Sequence, residues 1–211
     1  MVLSMVNTAL LDNAQNSGDI TEIIQATQLM NARSKDVVVL YESAMKEKIR
    51  TVTNLEEYSL KNWLQSDLEG KKNMLNSYVK ELAPIYGVEL IESIVFESYE
   101  QAGDGIGYAK SGFTKEKDRK GVIGINELML TPDYNSEYMW ERVFESIRHE
   151  LRHIYQGFAV EHPDKYLVLE EDLERWKAEQ GESYLSPYDY GYNIYREQMT
   201  EIDARQFAEL D

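Results

Sequence analysis

Trp140-Glu141-Arg142-Val143-Phe144-Glu145-Ser146-Ile147-Arg148-His149-Glu150-Leu151-Arg152-His153-Ile154-Tyr155-Gln156-Gly157-Phe158 is the stretch that decides how this chain folds. Trp140, Val143, Phe144, Ile147, Leu151, Ile154 and Phe158 recur at steps of three and four, the spacing of one helix face. With the Thr131-Pro132-Asp133 turn before it, a helix is expected from about Ser136 to Phe158. His149 and His153 project opposite the apolar stripe, beside Glu145 and Gln156. The helix can then pack through one face and present both histidines on the other. Two of the chain's three histidines stand on this turn. Four residues apart they can grip one ion, with Glu150 to the side, placed to act on a water held there.

Upstream, Gly121-Val122-Ile123-Gly124-Ile125-Asn126-Glu127-Leu128 and Ile94-Val95-Phe96-Glu97-Ser98-Tyr99 read as strands, β-branched or aromatic and bounded by glycines. Gly103-Asp104-Gly105-Ile106-Gly107 lacks the Lys-Ser or Lys-Thr of a phosphate loop and reads as a hairpin or loop. A small, mostly antiparallel sheet is expected. Before Pro84 the chain reads as helices. Asp19 caps one from Ile20 to about Arg33, and the next follows Ser34 with Val37, Leu40, Tyr41, Ala44, Met45, Ile49 and Val52. Asn54 and Glu57 have the spacing of a capping box for a helix ending near Gly70. A last helix with Leu75, Tyr78, Val79 and Leu82 is expected to stop before Pro84. These apolar stripes read as core. The fold class is therefore α+β: a helical region over residues 1–85, then a sheet, an active-site helix and a C-terminal helix over residues 86–211.

The composition narrows the function. A chain of 211 residues, 43% hydrophobic and 28% charged, is globular. It has no cysteine, so disulfides and thiolate-bound metals are excluded. A net charge of −16 argues against nucleic acid, which needs a cationic surface. Lys115-Glu116-Lys117-Asp118-Arg119-Lys120 is broken by acids and reads as a solvated loop. No apolar run reaches membrane-spanning length. Met1-Val2-Leu3-Ser4-Met5-Val6 lacks the basic start of a Sec signal, so the expected compartment is cytoplasmic, with signal-less export left open.

A catalytic zinc takes three protein ligands and keeps one position for water. His162, in the turn His162-Pro163-Asp164, lacks the context of a three-histidine site. The last helix, read from Asn193 to Leu210, places Glu197, Glu201, Ala204 and Ala208 on one stripe. Alanines one turn on from a carboxylate let two helices approach closely, which favours Glu201 as the third ligand. Glu197 is the alternative ligand, or a group holding a histidine N–H. Asp203 projects away from Glu201 and takes a structural or supporting role. Without the histidines, the stripe would read as a solvated acidic face.

His149-Glu150-x-x-His153 followed by Glu201-x-x-Ala204-x-x-Phe207-Ala208 resembles the short zincin metallopeptidases whose third ligand is a glutamate. Among these gluzincin-like enzymes it is similar to the small bacterial, phage and mobile-element peptidases of the ImmA/IrrE-like kind. The resemblance covers about residues 90–211 and does not reach residues 1–85. It implies a zincin-like catalytic domain with Zn2+ on His149, His153 and Glu201, and Glu150 as general base. It also implies a sheet edge strand that holds an extended peptide, a place taken by Ile123, Gly124, Ile125 and Asn126. The chain departs from the pattern between His153 and Glu201. There a further helix is expected around Leu167 to Lys177, and Tyr184-Leu185-Ser186-Pro187-Tyr188-Asp189-Tyr190-Gly191-Tyr192 follows. A tyrosine of that run could stabilise an oxyanion, or the run could serve packing. The expected function is zinc-dependent peptide-bond hydrolysis on a protein or peptide substrate. The alternative is a catalytically silent zinc-binding interaction protein of a phage or mobile element. For residues 1–85, a docking arm, a self-association hairpin and a lid over the cleft all stay open.

Overall fold

The computed structural model describes residues 35–90, 94–98, 107–112, 120–180 and 183–210. The expected helix at residues 20–33, the glycines at 103 and 105 and the charged loop at 115–119 lie outside them. The described helices are α1 (Lys35–Thr53), α2 (Leu60–Gln65), α3 (Leu68–Tyr86), α4 (Glu137–Glu161), α5 (Glu170–Glu179), α6 (Pro187–Tyr190), α7 (Tyr192–Arg196) and α8 (Met199–Ala208). The strands are β1 (Val95–Glu97), β2 (Gly107–Gly112) and β3 (Lys120–Asn126). Among the described residues the structure is mostly helical with one small sheet, an α+β arrangement.

Caps, more than apolar spacing, settle the helix ends. Asn54 does not open a helix. Ser59 instead caps α2 through the Asn62 amide, and Asp67 caps α3 through the Gly70 amide at 2.8 Å. These short oxygens satisfy otherwise orphaned first-turn donors, so the single expected helix divides in two and Gly70 falls inside the second. Helix α3 also runs past Pro84 to Tyr86 and ends at Gly87, with φ +65°. The Gly87 and Val88 amides return to the Ala83 and Pro84 carbonyls, a closure that needs the left-handed conformation glycine adopts freely. Tyr86 is fully buried and donates its hydroxyl to the Arg148 carbonyl at 3.2 Å, which holds that last turn on α4.

The sheet order is β1-β3-β2. Strand β2 pairs antiparallel with β3, Gly107 opposite Ile125, whereas β1 pairs parallel with β3, Val95 opposite Gly124. The sheet is mixed because β2 reverses into β3, while β1 enters on the far side of β3 in the same direction. This corrects the substrate-strand expectation. Ile123, Gly124, Ile125 and Asn126 are in the central strand, whose backbone is paired on both sides, and Ile123 and Ile125 are fully buried. They build the core. Among the described residues, the edges are β1 and β2.

Helix α4 is the hub. Its Val143, Ile147 and Leu151 are fully buried, and it packs against α3, the sheet, α5 and α8. At about 1.5–3 kcal/mol for each buried large aliphatic or aromatic side chain, this face is a main source of stability. The core crosses the expected boundary at residue 85 without a break. Phe144 packs edge-on against Tyr78 and Trp63, and Trp140 Nε1 donates to the Tyr58 carbonyl at 2.9 Å. Among the described residues, α1 to α3 therefore buttress α4. No described helix is long and apolar enough to cross a membrane.

Candidate metal centre

Helix α4 is capped by Ser136, whose side chain accepts from the Met139 amide, and is long enough to carry His149 and His153 beyond Phe144 on the same helix. Its apolar face fixes its roll, so the two histidines emerge on the opposite side, as projected. They are only half-buried because α8 lies across them. Ala204 and Ala208 are fully buried in that crossing, which is the clearance their small side chains predicted.

The start of α8 sets where Glu201 points. Gln198 is extended, at φ −63° and ψ 144°, and supplies no capping side chain. Glu179, at the end of α5, does so from another helix: its two carboxylate oxygens accept from the Met199 and Thr200 amides, each at 2.8 Å. A carboxylate on a helix N-terminus satisfies orphaned donors and opposes the helix dipole. The helix restarts there. Consequently Asn193 to Leu210 is not one continuous helix, and Glu197 is not on the stripe with Glu201. Glu197 closes α7, is exposed and is not among the groups that converge with Glu201. His162 is likewise exposed, at the end of α4.

His149, His153 and Glu201 converge, each offering a ligand atom, and the three could hold a metal ion. The separations are 3.0 Å from His149 Nε2 to His153 Nε2, 3.0 Å from His153 Nε2 to Glu201 Oε1, and 3.4 Å from His149 Nε2 to Glu201 Oε2. Ligands about 2.0–2.1 Å from a tetrahedral zinc stand about 3.3–3.4 Å from one another. The triangle is close to that size, and its donors are the nitrogen and oxygen types zinc accepts. The residues fit the ion.

The electrostatics agree. Burial works against a charge on His153, but the hydrogen bond and negative charge of Glu201 outweigh it and push its pKa up to about 9. Glu201 is itself buried; hydrogen bonds from His149, His153 and Tyr195 overcome that burial and hold its carboxyl far below the usual range. Glu150, 8% exposed, adds its negative charge to the pull on His153 and to the environment of Tyr195. A carboxylate that acts on both groups is beside the cluster.

Around the triangle stands a hydrogen-bonded frame that the spacing of residues did not reveal. Tyr195 donates its hydroxyl to Glu201 Oε1. Burial and the Glu201 charge keep that hydroxyl protonated. Tyr195 lies just beyond the tyrosine run, on α7, and the helix break hid its relation to Glu201. His153 Nδ1 meets Gln156 Oε1 at 2.9 Å, and Gln156 Nε2 donates to Asp203 Oδ2 at 2.6 Å and to the Thr200 carbonyl at 3.0 Å. Arg152, 1% exposed, donates to both oxygens of Asp203, at 2.8 and 2.9 Å, and to Glu42 of α1. Asp203 thus bonds Gln156 and Arg152 from outside the three converging groups. Gln156 was readable, one turn from His153 on the same face; Glu42 and Glu179 carry no local signal.

Comparison with known proteins finds no matching family model, no similar curated protein and no similar solved structure.

Proposed function

We propose that this chain is a zinc-dependent metallopeptidase in which His149, His153 and Glu201 hold the ion and Glu150 is the general base. The observation that carries the reading is the convergence of His149 and His153 with the Glu201 carboxylate, at separations of 3.0–3.4 Å with Oε1 facing His153 and Oε2 facing His149. Three protein donors suit a catalytic rather than a closed structural zinc. Glu150 stands next to His149 on α4 and acts electrostatically on the cluster, which suits a group that takes a proton there. When bound, zinc supplies a Lewis acid that polarises a scissile carbonyl and makes water acidic near neutral pH.

The residues divide the work. Glu150 accepts the proton of the attacking water and returns it to the leaving amine. Tyr195 holds Glu201 in place, and Gln156 holds His153. An extended peptide binds by strand addition to a sheet edge. Strand β2 supports that role, since among the described residues it is an edge and packs against α4.

Metal analysis of the purified chain, with a peptide-library cleavage assay on wild type and Glu150→Gln, tests this reading. Wild type should contain zinc and cleave; Glu150→Gln should keep zinc and lose turnover. Cleavage by the zinc-loaded variant sinks the base assignment. Zinc with no cleavage by wild type leaves the interaction-protein alternative.

A further inference from the structure

Resting on the metal-centre reading, we propose that α1 clamps α8 and so fixes where Glu201 stands, with Lys46 and Arg50 as positioning residues. Helix α1 is anchored by its own core face: Tyr41, Met45 and Ile49 are buried, and α1 packs against α3. One residue on from that row stand Glu42, Lys46 and Arg50, four apart, so all three share one helix face. Each reaches α8 or the arginine that holds it. Glu42 accepts from Arg152, which grips Asp203 of α8. Lys46 Nζ donates to the Gln206 carbonyl at 2.6 Å and lies 5.5 Å from the centre of the Phe207 ring. Arg50 donates through Nε and Nη2 to the Leu210 carbonyl, just past α8, at 3.2 and 2.8 Å. Glu47 accepts from its remaining arm at 2.6 Å, which steadies the guanidinium.

The need for such a clamp lies in the crossing of α8 on α4. Ala204 and Ala208 bring the two helices close, but a contact of methyl groups only weakly resists sliding along the helix axis. Directional bonds must fix that coordinate, because a metal ligand has to stand within about 0.2 Å of its place. Glu179 supplies them at the N-terminal end of α8. At the other end the last carbonyls of a helix lack partners within it. Here they meet cations from two other helices: Lys46 and Arg50 of α1, and Arg148 of α4, whose Nε donates to the Ala208 carbonyl at 2.8 Å. Positive charge there also opposes the helix dipole. Arg148 ties α8 to the helix that carries the histidines, and α1 ties it to a third element. Glu201 is thus on a helix bonded at both ends, and α1 has a task inside the centre.

The test compares wild type with the double variant Lys46→Met, Arg50→Met and with Arg50→Lys, each checked for folding by circular dichroism. Zinc affinity is measured by chelator competition, and hydrogen exchange of the α8 amides is followed on the metal-free chains. In the double variant zinc affinity should fall about tenfold, the scale of two cations lost from a helix end. The last-turn amides of α8 should exchange about tenfold faster. The sign separates a clamp from a charge effect: taking two cations from a chain of net charge −16 would by itself tighten the hold on a dication. Arg50→Lys keeps the charge and should stay within a few-fold of wild type. In a Glu201→Ala chain the double substitution should cost no further affinity, since its effect passes through that carboxylate. If the double variant does not fold, Lys46→Met and Arg50→Met singly carry the same test at about threefold each. Unchanged or tighter zinc binding by the folded variants, unchanged exchange of α8, or a loss that persists without Glu201 overturns the proposal. If wild type binds no zinc, the metal reading fails, while the exchange of α8 still decides whether α1 holds it.

Discussion

Tyr195 donates its hydroxyl to Oε1 of Glu201, the same carboxylate oxygen that faces His153 Nε2. One oxygen is thus shared by a phenol and a histidine, which fixes the rotation of the carboxylate. Tyr195→Phe keeps the ring, packed near Tyr184 and Tyr192, and removes only the donor. Zinc affinity should fall about tenfold, as when an outer partner of a ligand is lost. The unfolding midpoint of the metal-free chain should change little. A chelator-competition titration and a thermal melt on the same sample check both.

If His153 holds the proposed zinc, protons compete with the ion for its ring. Its pKa is raised from 6.5 to about 9 in the metal-free fold, where burial is outweighed by Glu201. A raised pKa contributes stability that is complete below 6.5 and is lost as pH rises through about 9. The metal-free chain should therefore lose thermal stability across that window. Zinc requires the deprotonated ring, so its own stabilisation should grow over the same interval. Paired melts with chelator and with zinc should diverge steadily between those limits. Parallel curves would show that His153 is not the group displaced.

Gly121 of β3 lies against Ile154 of α4 so closely that a Cβ there would be 2.6 Å from the Ile154 side chain. Gly121→Ala should push the sheet off the helix and destabilise by about 1–3 kcal/mol. Ile154→Ala relieves the clash, so the double variant should lose less than the sum of the two single losses. Denaturant midpoints of the four chains give that coupling directly.

Arg152 is a buried cation held between Asp203 and Glu42, with the rings of Tyr155, Trp176 and Phe207 around its guanidinium. Asp203→Ala takes away its two-point partner and should cost about 3 kcal/mol, because the charge stays buried. Arg152→Met in the same chain should recover part of that loss. Urea unfolding of both variants measures the difference.

Much of the centre was legible one residue at a time. The period of Trp140, Val143, Phe144, Ile147, Leu151, Ile154 and Phe158 is a property of one helix, so the sequence by itself determined that His149 and His153 share a face turned from the core. The alanines beside Glu201 likewise announced a close crossing through their size. What local pattern could not determine were relations between separate elements. Glu179 restarts the last helix from another helix, which removes Glu197 from the site and aims Glu201. Strand order makes Ile123 to Asn126 central, because pairing on a second side depends on where β1 enters and not on the strand's own residues. Tyr195, Arg152 and Glu42 joined the frame only when α1, α7 and α8 met α4. Periodicity records which way a side chain points from its own helix, whereas a cap, a sheet position or a hydrogen-bond partner belongs to two elements at once and is decided by their packing.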